Sequence, residues 1–208
     1  EGTLFGRAYT TIPSCIPARH CLLTGLYPQT SGMVGFKGRP ITYPTMPELL
    51  KEAGYLTVLV GRCMHQVPKS APYGYQRMIL GSTYTSNDDY DHYLKRVAPD
   101  CGGIAKLIKT LEVNDNGWEA HPWPLPEQMN PTAWIVRESR RVVSAAPPPQ
   151  VLFLTTSFFA PHPPLFPPKR YFDYYAQKQL PPAAHGDWVD WKSLPAPRKL
   201  ATYDRVLL

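Results

Sequence analysis

Two stretches of the chain are continuous runs of apolar and β-branched residues, Leu56-Thr57-Val58-Leu59-Val60 and Val151-Leu152-Phe153-Leu154. A β-branched, apolar run with no polar alternation is what a strand buried on both faces of a parallel sheet shows. Helical patterning precedes each one. Thr45-Met46-Pro47-Glu48 reads as a capping box with proline in the first turn, followed by Leu49, Leu50 and Ala53 as an apolar face and Gly54 as the stop. Asn130-Pro131 opens a second helix with Trp134, Ile135, Val142 and Val143 apolar, and Pro147-Pro148-Pro149 closes it. Its Arg137, Glu138, Arg140 and Arg141 read as a solvated side. Asn87 reads as the cap of a further helix running to Val97, with Asp88 and Asp89 in its first turn. An acidic metal cluster is the other reading of these carboxylates, but the helix dipole alone accounts for them. A short helix is predicted at 104–111, a turn at 114–117, and the end of a helix leading into a short strand at 1–9. The alternation of helix, tight turn and core strand predicts an α/β protein, a doubly wound mixed or parallel sheet with helices on both faces.

Composition narrows the class. The 208 residues suffice for one full domain, and 43% hydrophobic content suits a globular one. The 25 prolines cluster at 147–149, 161–168, 181–182 and 195–197, interleaved with aromatic residues, which predicts ordered loops over a scaffold. A net charge of +6 allows an anionic partner, yet no run of Lys and Arg exceeds two and no nucleic-acid motif appears. That argues against a dedicated nucleic-acid surface, and the positive charge suits a small anionic ester equally well. Cysteines 15, 21, 63 and 101 form no C-x-x-C pair, so neither a structural zinc site nor a disulfide scaffold is expected. No apolar run approaches the ~20 residues of a membrane span.

The candidate chemistry sits in Pro13-Ser14-Cys15-Ile16-Pro17-Ala18-Arg19-His20-Cys21-Leu22-Leu23-Thr24-Gly25. Ile16 precedes a proline, so Cys15 and Ile16 are expected to be extended in a turn. Pro17 then starts a helix that Gly25 ends in a left-handed cap. Cys15 would stand at the helix N-terminus with Arg19 one turn on, where a negative charge is stabilised. A low-pKa thiolate and a cysteine chemically converted before use both fit, and a buried structural cysteine is the ordinary alternative.

Two further segments follow the predicted strands, where open α/β sheets bind ligands. Gly61-Arg62-Cys63-Met64-His65 makes Arg62 and His65 candidates, and Ala160-Pro161-His162-Pro163-Pro164 sends His162 toward the same cleft. His121, among Trp118, Trp123 and prolines, reads as cover for the core in preference to a pocket lining.

These segments carry a resemblance. Cys15-Ile16-Pro17-Ala18-Arg19, with Leu22-Leu23-Thr24-Gly25 behind it, resembles the C-x-P-x-R signature of the type I, formylglycine-dependent sulfatases of the alkaline-phosphatase-like superfamily. Ile16 stands where that family has a small residue. The segment at 61–65 is similar to its G-K-x-H element, with Arg62 for lysine and one extra residue before His65. The segment at 160–164 is similar to its K-P-H-x-P element, with Ala160 for lysine. Pro167-Pro168-Lys169-Arg170-Tyr171-Phe172 continues the match, which runs from Glu1 to the end.

The resemblance implies that a formylglycine-generating enzyme oxidises Cys15 to formylglycine, whose hydrated aldehyde attacks sulfur and then expels sulfate. It implies that Arg19 holds the formylglycine and His65 assists the diol. Arg62 and His162 contact the sulfate ester, and His162 protonates the leaving oxygen. The implied cofactor is calcium, or magnesium, bound by formylglycine 15 and by carboxylates from strands not found in 1–208. The chain therefore reads as the central part of a single catalytic domain, lacking the N-terminal metal-binding strand and the C-terminal portion, and inactive alone. The implied substrate is an aryl or carbohydrate sulfate, and a periplasmic or secreted location is common in the family. Two alternatives remain open: a phosphonate monoester or phosphodiester hydrolase of the same superfamily, and a non-catalytic relative that binds sulfated glycans.

Overall fold

The computed structural model describes residues 2–62, 67–68, 71–83, 86–113, 119–179 and 181. The chain divides into two units, Glu1–Leu107 with Pro131–Phe159, and Ile108–Asn130 with Ala160–Leu208.

The first unit is built on a three-stranded parallel sheet. Strand β1 (Leu56–Gly61) is central, between β2 (Arg77–Leu80) and β3 (Leu152–Ser157). The register pairs Leu59 with Met78 on one side and with Thr155 on the other. Val58, Leu59 and Val60 are at most 1% exposed, as a strand covered on both faces requires.

Paired residues of parallel neighbours point to the same face. Leu59 therefore shares a face with Thr155, and it packs with Leu23 and Tyr75 in a cluster flanked by Ile41, Met78, Leu80 and Phe153. Each such buried side chain contributes roughly 1.5–3 kcal/mol. Leu23 belongs to helix α1 (Cys15–Thr24). Thr156 belongs to the opposite face, where its hydroxyl meets Ser139 of a long helix, Pro131–Ala145, at 3.1 Å. Helices thus cover both faces, as the sequence predicts.

Between these lie α2 (Pro28–Ser31), α3 (Met46–Glu52), α4 (Asp89–Val97) and α5 (Ile104–Thr110), so that the long helix is α6. The capping box of α3 is present, with Thr45 Oγ1 accepting from the Glu48 N–H at 3.3 Å and Glu48 accepting from the Thr45 N–H at 3.2 Å. Helix α4 meets α6 through Tyr90 and Trp134, whose ring centres are 5.3 Å apart. The Arg137 guanidinium lies over Tyr93.

Several expectations are corrected. Leu49 of α3 is 54% exposed, so the apolar face read into that helix is not a buried one. Val143 and Val151 are also exposed. Residues 2–9 contain no strand, whereas β2 forms where the sequence gives no signal, because three apolar residues in a row carry no period. The cap of α4 is Asp88, not Asn87, which adopts φ 67 just before it.

In the second unit, Ala120 bridges Leu165, and the N–H groups of His121 and Trp123 donate to the carbonyls of Leu165 and Pro167. Trp123 is buried edge-on against Phe166, and Asn130 Nδ2 donates to the Phe166 carbonyl. Helix α7 (Lys169–Ala176) follows, with Arg170 paired to Glu127 at 2.8 Å. Trp123 therefore covers a local core, as expected of this aromatic cluster. The turn predicted at 114–117 and Trp118 lie outside the described residues.

Candidate active site

Helix α1 begins at Cys15 itself, two residues earlier than the proline rule suggests. Ser14 is the N-cap in extended conformation, and the first intrahelical bond runs from the Ala18 N–H to the Ser14 carbonyl at 2.9 Å. Pro17 falls in the first turn, where its missing N–H costs nothing. At the far end Gly25 adopts φ 69, and its N–H donates to the Cys21 carbonyl.

Pro17, His20 and Leu23 are buried along one side of α1. Cys15 and Arg19, four residues apart and so on one face of the helix, are half-buried. The Ser14 side chain makes no capping bond and no acidic residue occupies the first turn. Its hydroxyl is buried without a partner among the described residues. The positive end of the helix thus has neither a side-chain cap nor a first-turn acid beside a half-buried thiol. His20 Nδ1 is a second buried atom without a partner among the described residues, and burial holds this imidazole below its ordinary value of 6.5.

Arg62 occupies the residue after β1. It is 5% exposed, its N–H donates to the Ser157 carbonyl at 2.9 Å, and its guanidinium lies over the ring of Phe159 at 4.9 Å. Gly61 makes this crossing possible: at φ 107, a Cβ there would fall 2.1 Å from the Ser157 oxygen. Three residues beyond β2, Thr83 Oγ1 is buried with no partner among the described residues. The structure thus adds Ser14, Thr83 and Phe159 to the candidates. No sequence signal marks them, because a Ser, a Thr and a Phe beside strands and caps are ordinary.

Cys15, Arg19 and Arg62 fall in the first unit and His162 in the second. His65 and Cys63 lie outside the described residues. His162 Nδ1 lies 2.7 Å from the Pro163 carbonyl. A carbonyl only accepts, so Nδ1 carries a proton.

The carboxylates at the start of α4 serve the backbone. Asp88 accepts from the N–H groups of Asp91 and Ser82, and Asp89 from that of Leu80. Asp91, 1% exposed, accepts from the N–H groups of Asn87 and Ile104 and pairs with Lys95 at 2.7 Å. Burial alone would raise its pKa, but the Lys95 pair and the two N–H donors outweigh it and hold the carboxyl below 3.8. Among the described residues no group of three or more His, Cys, Asp or Glu could hold a metal ion. Calcium takes six to eight oxygen ligands, so the described residues do not fit it. Cys15, Cys21 and Cys101 are free thiols. No described helix is long and apolar enough to cross a membrane.

A family model for sulfatases matches residues 1–208. This chain belongs to the sulfatase family. A relative, the arylsulfatase of Clostridium perfringens (strain 13 / Type A), is 35% identical over 204 residues, covering 91% of this chain and 42% of its own length. The human iduronate 2-sulfatase is 26% identical over 208 residues, covering 90% of this chain and 36% of its own. The sulfatase chain thus spans less than half the length of these curated relatives. Among solved structures, the phosphonate monoester hydrolase from Silicibacter pomeroyi superposes with a TM-score of 0.59 at 20% identity, over 86% of this chain and 38% of its own. That likeness shows the α/β fold of the sulfatase chain and no more.

Proposed function

We propose that residues 1–208 are the central part of a sulfatase catalytic domain, and that the whole protein hydrolyses a sulfate monoester through a formylglycine made from Cys15. The observation that carries this reading is Cys15 as the first residue of α1, with Arg19 one turn on, inside a chain that matches the sulfatase family throughout. Formylglycine, once formed, supplies a hydrated-aldehyde hydroxyl as the nucleophile toward sulfur.

The residues of this chain then have distinct tasks. The N-terminus of α1 and Arg19 hold the nucleophile and stabilise negative charge as it develops. Arg62 offers in-plane N–H donors to the sulfate oxygens, a task that a guanidinium performs with two bonds where lysine gives a point charge. His65 assists the nucleophile. His162, protonated on Nε2, donates to the leaving oxygen. Apart from formylglycine 15, the calcium of the family would draw its ligands from outside the described residues, and none of these tasks is routed through it. With Ala160 where the family has a lysine, sulfate recognition relies on Arg62 or on groups outside residues 1–208.

Mass spectrometry of the tryptic peptide from Ala8 to Arg19 tests the nucleophile directly. The complete protein is expressed beside a formylglycine-generating enzyme, with a standard sulfatase converted in parallel. The mass loss of thiol to aldehyde is the expected result. An unmodified thiol would mean that Ile16 blocks maturation, and would turn the reading toward a glycan-binding relative. The fold is shared with a phosphonate monoester hydrolase, so fold alone does not choose the ester. The ratio of kcat/KM for aryl sulfate and aryl phosphonate chooses it.

A further inference from the structure

Thr83 is 6% exposed, yet its hydroxyl has no hydrogen-bond partner among the described residues. Buried hydroxyls are almost always paired, because an unpaired one has given up its bond to water without a replacement. One left open in a folded protein points to a partner that arrives from outside. Its place in the sheet is where such a partner binds. Leu80, the last residue of β2, is in register with Gly61, the last of β1, and the Gly81 N–H donates to the Gly61 carbonyl at 2.9 Å. Residues 81–83 therefore leave the carboxyl edge of the parallel sheet, the edge at which open α/β sheets take their ligands. The segment is held on both sides. A Cβ at Gly81 would fall 2.5 Å from the Trp134 ring and 2.7 Å from Tyr90 Cβ, so the backbone lies directly against α6 and α4. The Ser82 N–H donates to Asp88 Oδ2 at 3.1 Å. Thr83 comes next, presented by a fixed backbone.

We propose that Thr83 is a substrate-binding residue whose hydroxyl donates a hydrogen bond to an oxygen of the sulfate group. This rests on the reading of the protein as a sulfate ester hydrolase. A sulfate oxygen has lone pairs and no proton, so it only accepts. A hydroxyl that no protein acceptor occupies keeps its proton for such an oxygen, and it turns about a single bond to reach it. A bond to a charged oxygen is stronger than one between neutral groups. Because the backbone is fixed beforehand, little further order is imposed when that bond forms. Thr83 thus adds a neutral donor to whatever cation Arg62 or the rest of the protein supplies.

The test uses the complete, matured protein, with inorganic sulfate as a competitive inhibitor of aryl sulfate hydrolysis and a melting curve for each variant. Thr83→Val keeps the shape and removes the hydroxyl. It raises the inhibition constant of sulfate and the KM about tenfold, the loss of one charge-assisted bond. The change in kcat is smaller, because the bond is made before the reaction as well as during it. The melting temperature stays level or rises, since the group removed has no partner in the free protein. Thr83→Ser keeps the hydroxyl and binds sulfate as the unaltered protein does. Should valine disturb the packing, Thr83→Ser and Thr83→Ala repeat the comparison, both lacking the methyl group and differing in the hydroxyl alone.

Normal sulfate binding by Thr83→Val overturns the proposal, and a lowered melting temperature beside it would show that the hydroxyl serves the fold. A raised KM for the aryl sulfate with an unchanged inhibition constant for sulfate would move the contact to the alcohol portion and overturn the assignment to the oxyanion. If the unaltered, matured protein neither hydrolyses aryl sulfate nor binds sulfate, the sulfate ester reading itself fails, and the role of Thr83 with it.

Discussion

Two helix N-termini in the first unit are built in opposite ways. At α4, Asp88 caps the helix, and Asp89 and Asp91 join it in accepting five backbone N–H groups, while Lys95 pairs with Asp91. At α1, the cap residue makes no side-chain bond, no acid stands in the first turn, and the Ser14 hydroxyl is buried without a partner among the described residues. The first end is finished for stability. The second has neither a side-chain cap nor a first-turn acid, carries a buried polar group, and has Cys15 at its positive end. Local incompleteness of this kind is expected where function overrides packing, which is why the acidic α4 terminus, the more conspicuous in sequence, is the less informative.

The contrast can be broken most decisively at Cys15. In the complete protein, Cys15→Ala is expected to lower sulfate ester hydrolysis by about 10⁴-fold or more, while the melting temperature stays unchanged. Retained turnover would remove α1 from the chemistry.

Asp91→Asn should show the converse, a loss of about 2–4 kcal/mol in denaturant unfolding with kcat/KM intact, since Lys95 loses its buried partner. The pH dependence carries a sign. The folded pKa of Asp91 is depressed, so its contribution is complete above 3.8 and fades as pH falls through the lower folded value. Asp91→Asn should therefore flatten the acid limb of the stability curve, and an unchanged limb would show that other groups govern it.

Asp88→Ala should destabilise by about 1 kcal/mol, the usual worth of a cap, whereas Ser14→Ala should stay within about 0.5 kcal/mol. Equal losses at the two caps, measured by chemical denaturation, would erase the distinction between the termini.

A smaller effect belongs to His20. Its folded pKa lies below 6.5, so the unfolded chain takes up the proton first. Stability is complete above pH 6.5 and declines as pH falls below it. Melting curves at pH 7.5 and 5.5 should show that decline in the unaltered protein and a weaker one in His20→Gln.

Much of this was legible in the chain. The uninterrupted run at 56–60 specified a core strand because only burial on both faces tolerates such a pattern, and Thr45 with Glu48 specified a helix start through short-range hydrogen bonds. Ser14, Thr83 and Phe159 were not legible. Their significance depends on which atoms lie beside them, and residue type carries no trace of that.

The sequence by itself determined that an α/β chain carries a cysteine followed by proline and arginine at the head of a glycine-capped helix. Helix caps, proline geometry and strand runs are interactions within a few residues, so the local order of side chains is enough to set them. Only the tertiary structure decided that the helix starts at Cys15 itself, that the acidic cluster serves the backbone, and that Arg62 stacks on Phe159. The Asp91 site and the Arg62 stack depend on groups brought together from separate elements of the chain. Asp91 meets the N–H of Ile104, and β1 meets β3 across a separation of nearly a hundred residues, which sheet packing sets and no short stretch of sequence specifies.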